Sequence, residues 1–188
     1  FLQIFLIFLI ISFSIILLSQ IFDKEKKIAS KVEVQQNGDE NNLIEGIKYF
    51  SKDVNGNTYL IKSKNGTINE ENPDIIFLID VKAEINFDKD QSIKVTSDKA
   101  VYNVNNYDTE FIDNVKLSYE SNKISCKNII AKFSENYAIL SGNLVYNNLL
   151  TSLFADQMKV DLISRTTKTS MTNSHDKVKI VYKDNGTN

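Results

Sequence analysis

Side chains suited to acid–base, nucleophilic or metal chemistry are scarce in this chain. His175 is the single histidine, and it stands directly between Ser174 and Asp176. Consecutive residues cannot adopt the geometry of a Ser-His-Asp triad, because such a triad is defined by positions in space. We therefore predict that His175 is a polar loop residue. Cys126 is the single cysteine, so no internal disulfide forms, and a zinc site would need several carboxylates in addition.

Residues 53–57 read Asp-Val-Asn-Gly-Asn, which faintly resembles a calcium-binding loop. The later bidentate Glu and most of the oxygen ligands of such a loop are missing. Asn-Gly between apolar runs is a strong signal for a β-hairpin turn, and we predict a turn here. The acidic residues are spread over polar positions, and no glycine-rich phosphate loop is present. We therefore predict a protein that is not an enzyme and holds no metal or cofactor.

The charge of the chain is nearly balanced, with 22 basic and 24 acidic residues. A nucleic-acid partner usually requires a basic surface, so this balance argues against one. All of these charged residues follow residue 22.

The first 22 residues are almost wholly apolar. As a helix they would reach roughly 33 Å, enough to cross the hydrocarbon core of a bilayer. We predict a membrane-spanning helix over residues 1–22; a cleaved signal peptide is the main alternative. The run is long for a signal peptide, and no cleavage site of small residues follows it. Residues 23–43 are polar and predict a linker, residues 44–183 predict a β domain, and residues 184–188 are a short tail.

The β domain repeats itself. Ser97, Cys126 and Ala155 are each 29 residues apart and stand in similar surroundings, and a fainter copy lies 34 residues upstream of Ser97. The second half of the unit recurs at residues 80–83, 114–117 and 143–146 and, after an insertion, at residues 177–180. Repeats of this length mark stacked structural units that bury a core only against their neighbours.

Apolar and polar residues alternate in the second half of each unit, which predicts strands with one buried and one solvent-facing side. The predicted buried side holds Ile75, Phe77, Ile79, Val81, Ala83, Ile85 and Phe87, then Phe111, Val115, Leu117 and Tyr119, then Ala138, Leu140, Leu144 and Tyr146, and finally Val178, Ile180 and Tyr182.

In the first half of each unit the alternation changes phase in mid-strand. Ile61 and Ser63 give way to Gly66 and Ile68, Val95 and Ser97 to Ala100 and Tyr102, Ile124 and Cys126 to Ile129, Ala131 and Phe133, and Leu153 and Ala155 to Met158, Val160 and Leu162. Such a change is what a β-bulge or corner produces. About four repeated units with a bend at the same place predict an all-β, twisted antiparallel sheet folded around an apolar interior. That interior is either a packed core or a groove able to take acyl chains.

Together, the apolar N-terminal segment, the short linker and the bulged, repeated β domain resemble the LptC family. The local matches are Ile47-Lys48-Tyr49-Phe50 with the Gly56 turn and Tyr59-Leu60-Ile61, then residues 95–100, then residues 140–145. Asp113 differs from the pattern, because this family often has Gly there. The resemblance implies a β-jellyroll in the periplasm, anchored in the inner membrane by a single span.

The same resemblance implies a role in lipopolysaccharide export. An LptB/LptF/LptG-like ABC transporter would deliver lipopolysaccharide at the N-terminal edge near residues 45–50. An LptA-like bridge protein would accept it at the C-terminal strand, residues 177–182, and both contacts would be strand additions. The lipid-groove candidates are Phe77, Ile79, Val81, Tyr102, Phe111, Val115, Leu117, Phe133, Leu140, Leu144, Tyr146, Met158 and Val160. The partner-edge candidates are Tyr49, Phe50, Val178, Ile180 and Tyr182. A membrane-anchored β scaffold without lipid cargo is the alternative.

Overall fold

The computed structural model describes residues 31–35, 43–52, 56–88 and 91–183, and these residues form one antiparallel β-sheet of eleven strands. The strands are β1 (Lys31–Gln35), β2 (Leu43–Lys52), β3 (Thr58–Ile68), β4 (Ile75–Asp88), β5 (Gln91–Asn103), β6 (Thr109–Tyr119), β7 (Asn122–Lys132), β8 (Tyr137–Asn147), β9 (Thr151–Asp161), β10 (Thr167–Ser170) and β11 (Lys179–Tyr182). The all-β, antiparallel prediction is confirmed.

The predicted membrane span over residues 1–22 and the tail over residues 184–188 lie outside the described residues. Within the described residues, no helix has the length and apolar character needed to cross a membrane. Part of the predicted linker, Lys31–Gln35, is strand β1, which pairs with β2.

Strands β1 to β10 pair in chain order, so the sheet is a meander. Both β10 and β11 pair with β9: β10 lies opposite Gln157–Val160, and β11 lies opposite Thr151–Phe154. The two short strands therefore occupy the place of one interrupted strand, with residues 171–178 between them. This arrangement confirms the predicted insertion before the last copy of the repeat.

The corners predicted in the first half of each unit are confirmed in β3, β5, β7 and β9. In β5 the buried positions change from Val95 and Ser97 to Ala100 and Tyr102, and the pairing with β6 shifts between Thr96 and Lys99. In β7 the side chain of Cys126 is buried at the same point, and its thiol donates to the carbonyl of Asn128 at 3.4 Å.

The neighbouring strands β4, β6 and β8 bend at residues with left-handed backbone conformations. Asp80, Asn114 and Asn143 have left-handed backbones, with φ of 55°, 50° and 50°. Asn and Asp tolerate this conformation better than other non-glycine residues. Asp113, which replaces the glycine expected from the family resemblance, also adopts it, with φ of 60°.

The bend at Asp80 overturns one prediction. Phe77 and Ile79 point outward and are 42% and 49% exposed, whereas Ile76 and Leu78 are buried at 3% and 1%. The expectation that Phe77 and Ile79 share the buried side of Val81 is wrong, because the left-handed residue shifts the alternation within β4. The segment Ile75–Ile79 is apolar at every position, so its sequence alone could not fix which residues point inward.

The corners divide most strands into two halves, and the halves form two layers that face each other. The first layer comprises residues 47–52, 58–63, 81–88, 91–97, 115–119, 122–126, 144–147 and 151–155, with β11 at its edge. The second layer comprises residues 43–45, 65–68, 75–79, 99–103, 109–112, 128–132, 137–141 and 157–161, with β10 at its edge.

Contacts between the layers close the interior at the N-terminal end. The ring of Tyr49 in the first layer lies 5.0 Å from that of Tyr102 in the second. Gly66 in the second layer leaves just enough room for Ile47 of the first. Near the strand ends, the rings of Tyr59 and Phe133 meet edge to face at 5.9 Å.

Candidate functional site

An unbroken apolar row crosses the inside of the first layer, and we call it the inner row. Each member lies directly opposite the next on the neighbouring strand, so their side chains share one face. The inner row consists of Tyr49, Ile61, Ala83, Val95, Leu117, Ile124, Tyr146, Leu153 and Ile180.

Burial along the inner row falls from the N-terminal to the C-terminal strands. Tyr49 is 8% exposed and Val95 is 5% exposed. Leu117 and Leu153 are half-buried and pack against the core, and Ile180 at the end of the row is 52% exposed. The interior is therefore closed where the chain enters the sheet and opens toward its last strands.

The facing row of the second layer stays buried along its whole length. It consists of Leu78, Ala100, Phe111, Ile129, Leu140 and Met158, all of them at most 7% exposed. The two rows form the floor and roof of one apolar interior. Such a surface favours alkyl groups over polar ligands.

The closed end is filled by aromatic rings. A cavity of about 40 Å³ remains there, lined among others by Tyr49, Tyr59, Tyr102, Phe111 and Phe133. That volume is far below the roughly 300 Å³ at which ligand pockets begin. An acyl chain could enter this end only if the layers moved apart.

Two tyrosines of this end, Tyr49 and Tyr102, are buried and pack in the core. Burial raises the pKa of Tyr102 far above its usual range, and the neighbouring Tyr107 and Tyr49 add to the effect. Burial likewise raises the pKa of Tyr49. Burial raises the pKa of the Cys126 thiol to about 11, so it stays protonated and unreactive.

The open end is bordered by Tyr146 and by the last strand. The hydroxyl of Tyr146 donates to Oδ1 of Asn122 at 2.7 Å and accepts from Nδ2 of Asn148 at 2.9 Å. These bonds fix the ring beside the opening. Beyond it, Ile180 and Tyr182 are 52% and 79% exposed.

Most of the lipid-groove candidates lie in this interior. Val81, Tyr102, Phe111, Val115, Leu140, Leu144 and Met158 are buried, and Leu117, Phe133, Tyr146 and Val160 are half-buried. Phe77 and Ile79 lie on the outer surface, as described above. Contact of these residues with lipid remains a prediction.

The sequence reasoning missed Ile76 and Leu78 as inward residues. A signal was available, because Asp80 stands at the repeat position of Asn114 and Asn143. All three precede an inward Val or Leu, and all three have left-handed backbones. Aligning these three residues would have placed a bend at Asp80.

The two predicted partner edges differ in the structure. Tyr49 and Phe50 lie in β2, which is not an outer strand, because β1 pairs along it. Tyr49 points inward, and Phe50 is 38% exposed. The C-terminal candidates lie at an edge: Ile180 and Tyr182 belong to β11, whose one pairing among the described strands is with β9, and Val178 precedes it and packs against the core.

A polar network ties two turns at the closed end. Asp108 accepts from Lys132 Nζ at 3.1 Å and from the backbone and side chain of Ser134. Burial alone would raise the pKa of Asp108, but the bonds from Ser134 and Lys132 lower it below its ordinary value. Asn106 Nδ2 also donates to Asp108 at 3.2 Å, so the network joins the β5–β6 turn to the β7–β8 turn.

The residues singled out for chemistry are not assembled into a site. His175 is exposed, and its Nδ1 lies 3.2 Å from Oδ1 of Asn173 within the same loop. In the part of the chain that the structure describes, no three His, Cys, Asp or Glu side chains are grouped to hold a metal.

The described residues define the class of the protein as a bent, two-layered antiparallel β domain around an apolar interior. The family model described as "Lipopolysaccharide-assembly, LptC-related" matches residues 5–183. The chain belongs to the LptC family.

Among solved structures, the chain is similar to that of LptH, described as the LptA homologous periplasmic component of the lipopolysaccharide transport device from Pseudomonas aeruginosa. The two share 8% sequence identity with a TM-score of 0.37, and the alignment covers 84% of this chain and 97% of LptH. No curated protein matches the chain.

Proposed function

We propose that this chain is the membrane-anchored, lipopolysaccharide-binding component of a transport bridge. Residues 1–22 would anchor it in the inner membrane, and the two β layers would form the family's jellyroll in the periplasm. An LptB/LptF/LptG-like ABC transporter would deliver the lipid, and an LptA-like bridge protein would accept it at the C-terminal edge. The proposal assigns no reaction to the chain.

The observation that carries the proposal is the graded inner row. The row is apolar from Tyr49 to Ile180, crosses every strand from β2 to β9, and ends on β11 at an edge of the sheet. A core designed only for stability would be closed at both ends, because exposed aliphatic side chains gain nothing from folding. An interior that opens toward an edge fits a passage that continues into the next β domain.

One observation favours the scaffold alternative. The closed end holds a cavity of only about 40 Å³, which is too small for an acyl chain. Under the transport proposal the layers separate there when lipid enters. Under the scaffold alternative they stay closed and the open end binds protein alone.

The proposal is tested with two neighbouring residues of β9 that face opposite ways. Leu153 belongs to the inner row, whereas Phe154 is 40% exposed on the outer side, where Nζ of Lys179 lies 5.8 Å from its ring centre. Leu153→Asp places a charge in the apolar interior between the two layers. This variant is expected to reduce retention of radiolabelled lipopolysaccharide by about tenfold or more. Phe154→Asp should retain it like the wild type.

Circular dichroism of both variants controls for folding. Equal retention by the two folded variants would count against a lipid path through the interior. It would favour the scaffold.

A further inference from the structure

Exposed apolar side chains are concentrated at the C-terminal end of the fold. The most exposed large apolar residues of the described chain are Leu149, Ile163 and Tyr182, at 74%, 75% and 79%. Leu149 lies with Leu150 at the tip of the β8–β9 hairpin, and Ile163 lies with Leu162 at the tip of the β9–β10 hairpin. Leu162, expected inside from its phase, is 37% exposed.

The same backbone motif holds both tips. Oδ1 of Asn148 accepts from the N–H groups of Leu150 and Thr151 at 2.9 and 2.7 Å. Oδ1 of Asp161 accepts from those of Ile163 and Ser164 at 2.9 and 2.7 Å. These side-chain bonds fix the turn locally, so each aliphatic pair is presented on an ordered loop.

The motif itself does not demand apolar residues. Asn69 forms the same turn at the other end of the sheet, accepting from Glu71 and Asn72 at 2.9 and 3.1 Å. The pair that follows Asn69 is Glu70–Glu71. The aliphatic pairs are therefore a property of the C-terminal end and not of the turn.

The two tips stand at opposite ends of the C-terminal edge. The backbone N–H of Lys183, just after β11, donates to the carbonyl of Leu150 at 2.8 Å, so this tip adjoins the end of β11. The other tip leads directly into β10, and Asp161 donates its N–H to the carbonyl of Thr166 at 2.9 Å. A strand laid along β11 and β10 would thus run from one tip to the other.

The edge itself is short. β10 and β11 have four residues each, and in an antiparallel ladder only alternate residues direct their backbone bonds to a given neighbour. A partner held by the backbone alone would gain few hydrogen bonds, each of modest net strength. Burial of the aliphatic tips against the partner would add a hydrophobic contribution to the binding free energy, which backbone hydrogen bonds do not supply.

Charge indicates the chemistry of the partner. Residues 149–183 carry six basic and three acidic residues, a net charge of +3. Residues 43–148 carry twelve basic and fifteen acidic residues, a net charge of −3. The C-terminal end is therefore a basic end on a weakly acidic domain, which favours an acidic partner surface.

We propose that the tips Leu149–Leu150 and Leu162–Ile163 form a two-point apolar clamp that docks a partner β domain with an acidic edge. The clamp rests on the proposed function and adds to it the residues that select the partner. Backbone pairing to β10 and β11 sets the register, and the tips bury against the partner on either side of it.

The test compares matched double variants of the full chain in detergent, with the purified LptA-type bridge protein of the same genome as the probe. Leu149→Ser with Leu150→Ser removes one tip, and Leu162→Ser with Ile163→Ser removes the other. Phe77→Ser with Ile79→Ser is the control, because these side chains are also exposed but lie away from the C-terminal edge. Each tip variant should bind about tenfold or more weakly than the wild type, whereas the control should bind within twofold.

Three results would overturn the clamp, and they are distinguishable. If the wild type binds the bridge protein and the tip variants bind it equally well, the clamp is wrong and the proposed function stands. If the wild type does not bind at all, both fail. If the tip variants keep the bridge protein, and an environment-sensitive fluorophore at position 149 of the full chain responds to phosphatidylglycerol vesicles but not to the bridge protein, the tips contact a membrane instead.

Discussion

Replacing Gly66 with alanine is expected to destabilise the fold at the point where the two layers touch. An added Cβ would overlap Cδ1 of Ile47 and lie 2.8 Å from the carbonyl oxygen of Phe77 and 3.1 Å from Cδ2 of Leu78. The Phe77 oxygen belongs to the backbone of a paired strand, so it cannot move aside without disturbing the ladder. Relief must come from a shift of β3 against β4 within the second layer, together with a movement of Ile47 in the first layer.

Overpacking of this kind costs about 1–3 kcal/mol. For a domain of this size, a loss of about 2 kcal/mol lowers the melting temperature by roughly 4–8 °C. Urea denaturation followed by far-ultraviolet circular dichroism measures the free energy of unfolding directly. Asn65→Ala, at the neighbouring half-buried position, is the control and should change stability by about 0.5 kcal/mol or less.

A second substitution tests whether the contact between Gly66 and Ile47 of the facing layer causes the loss of stability. Ile47→Val removes the Cδ1 atom that the new methyl group would meet, at a cost of about 0.5–1.5 kcal/mol by itself. Combined with Gly66→Ala, it should cost less than the sum of the two single variants, because the overlap is relieved. Two results would refute the packing of the two layers at Gly66. One is a Gly66→Ala protein as stable as the wild type. The other is a double variant whose loss of stability equals the sum of the losses in the two single variants.

Two further predictions concern titratable groups. Because Cys126 is buried and its pKa is raised to about 11, alkylation by iodoacetamide at pH 8 should be about 100-fold slower than in urea, and equal rates would contradict its burial. Asp108→Asn should lower stability by about 1–2 kcal/mol at neutral pH, because it weakens the bonds to Lys132 and Ser134. The pKa of Asp108 is lowered in the folded state, so its contribution is present above the unfolded pKa and is lost as pH falls through the folded value. The difference between the variant and the wild type should therefore shrink as the pH falls below the ordinary Asp pKa of about 3.9, and a difference that stays unchanged in acid would show that charge is not involved.

The corners of the fold were predictable because they recur. A change of phase at Ser63, Ser97, Cys126 and Ala155 is hard to explain except by a bend, and the structure bends at each of these positions. The bend at Asp80 was not predicted, because the apolar run before it hides the alternation. Only the left-handed backbone of Asp80 decides that Ile76 and Leu78 point inward.

The looser last repeat unit, with its insertion around His175 and its lysine-flanked last strand, indicates an opening at the C-terminal end, but the degree of exposure along the row could not be read from the sequence. Tyr49 and Ile180 are both apolar members of one row, and nothing in their types shows that one is 8% exposed and the other 52%. That difference depends on which layer segments lie across from them, a property of the packed fold. In the same way, the pairing of β1 along β2 could not be read from its polar sequence, Lys31–Gln35.

The most direct test of the central claim is site-specific photo-crosslinking in cells at two adjacent positions of β8. Tyr146 belongs to the inner row and stands at the open end of the interior. Val145 lies opposite Ser125 and Phe154, which face outward. A benzoylphenylalanine at Tyr146 should capture lipopolysaccharide on irradiation, and one at Val145 should not. Equal capture at the two positions, or capture at Val145 alone, would contradict a lipid path between the layers.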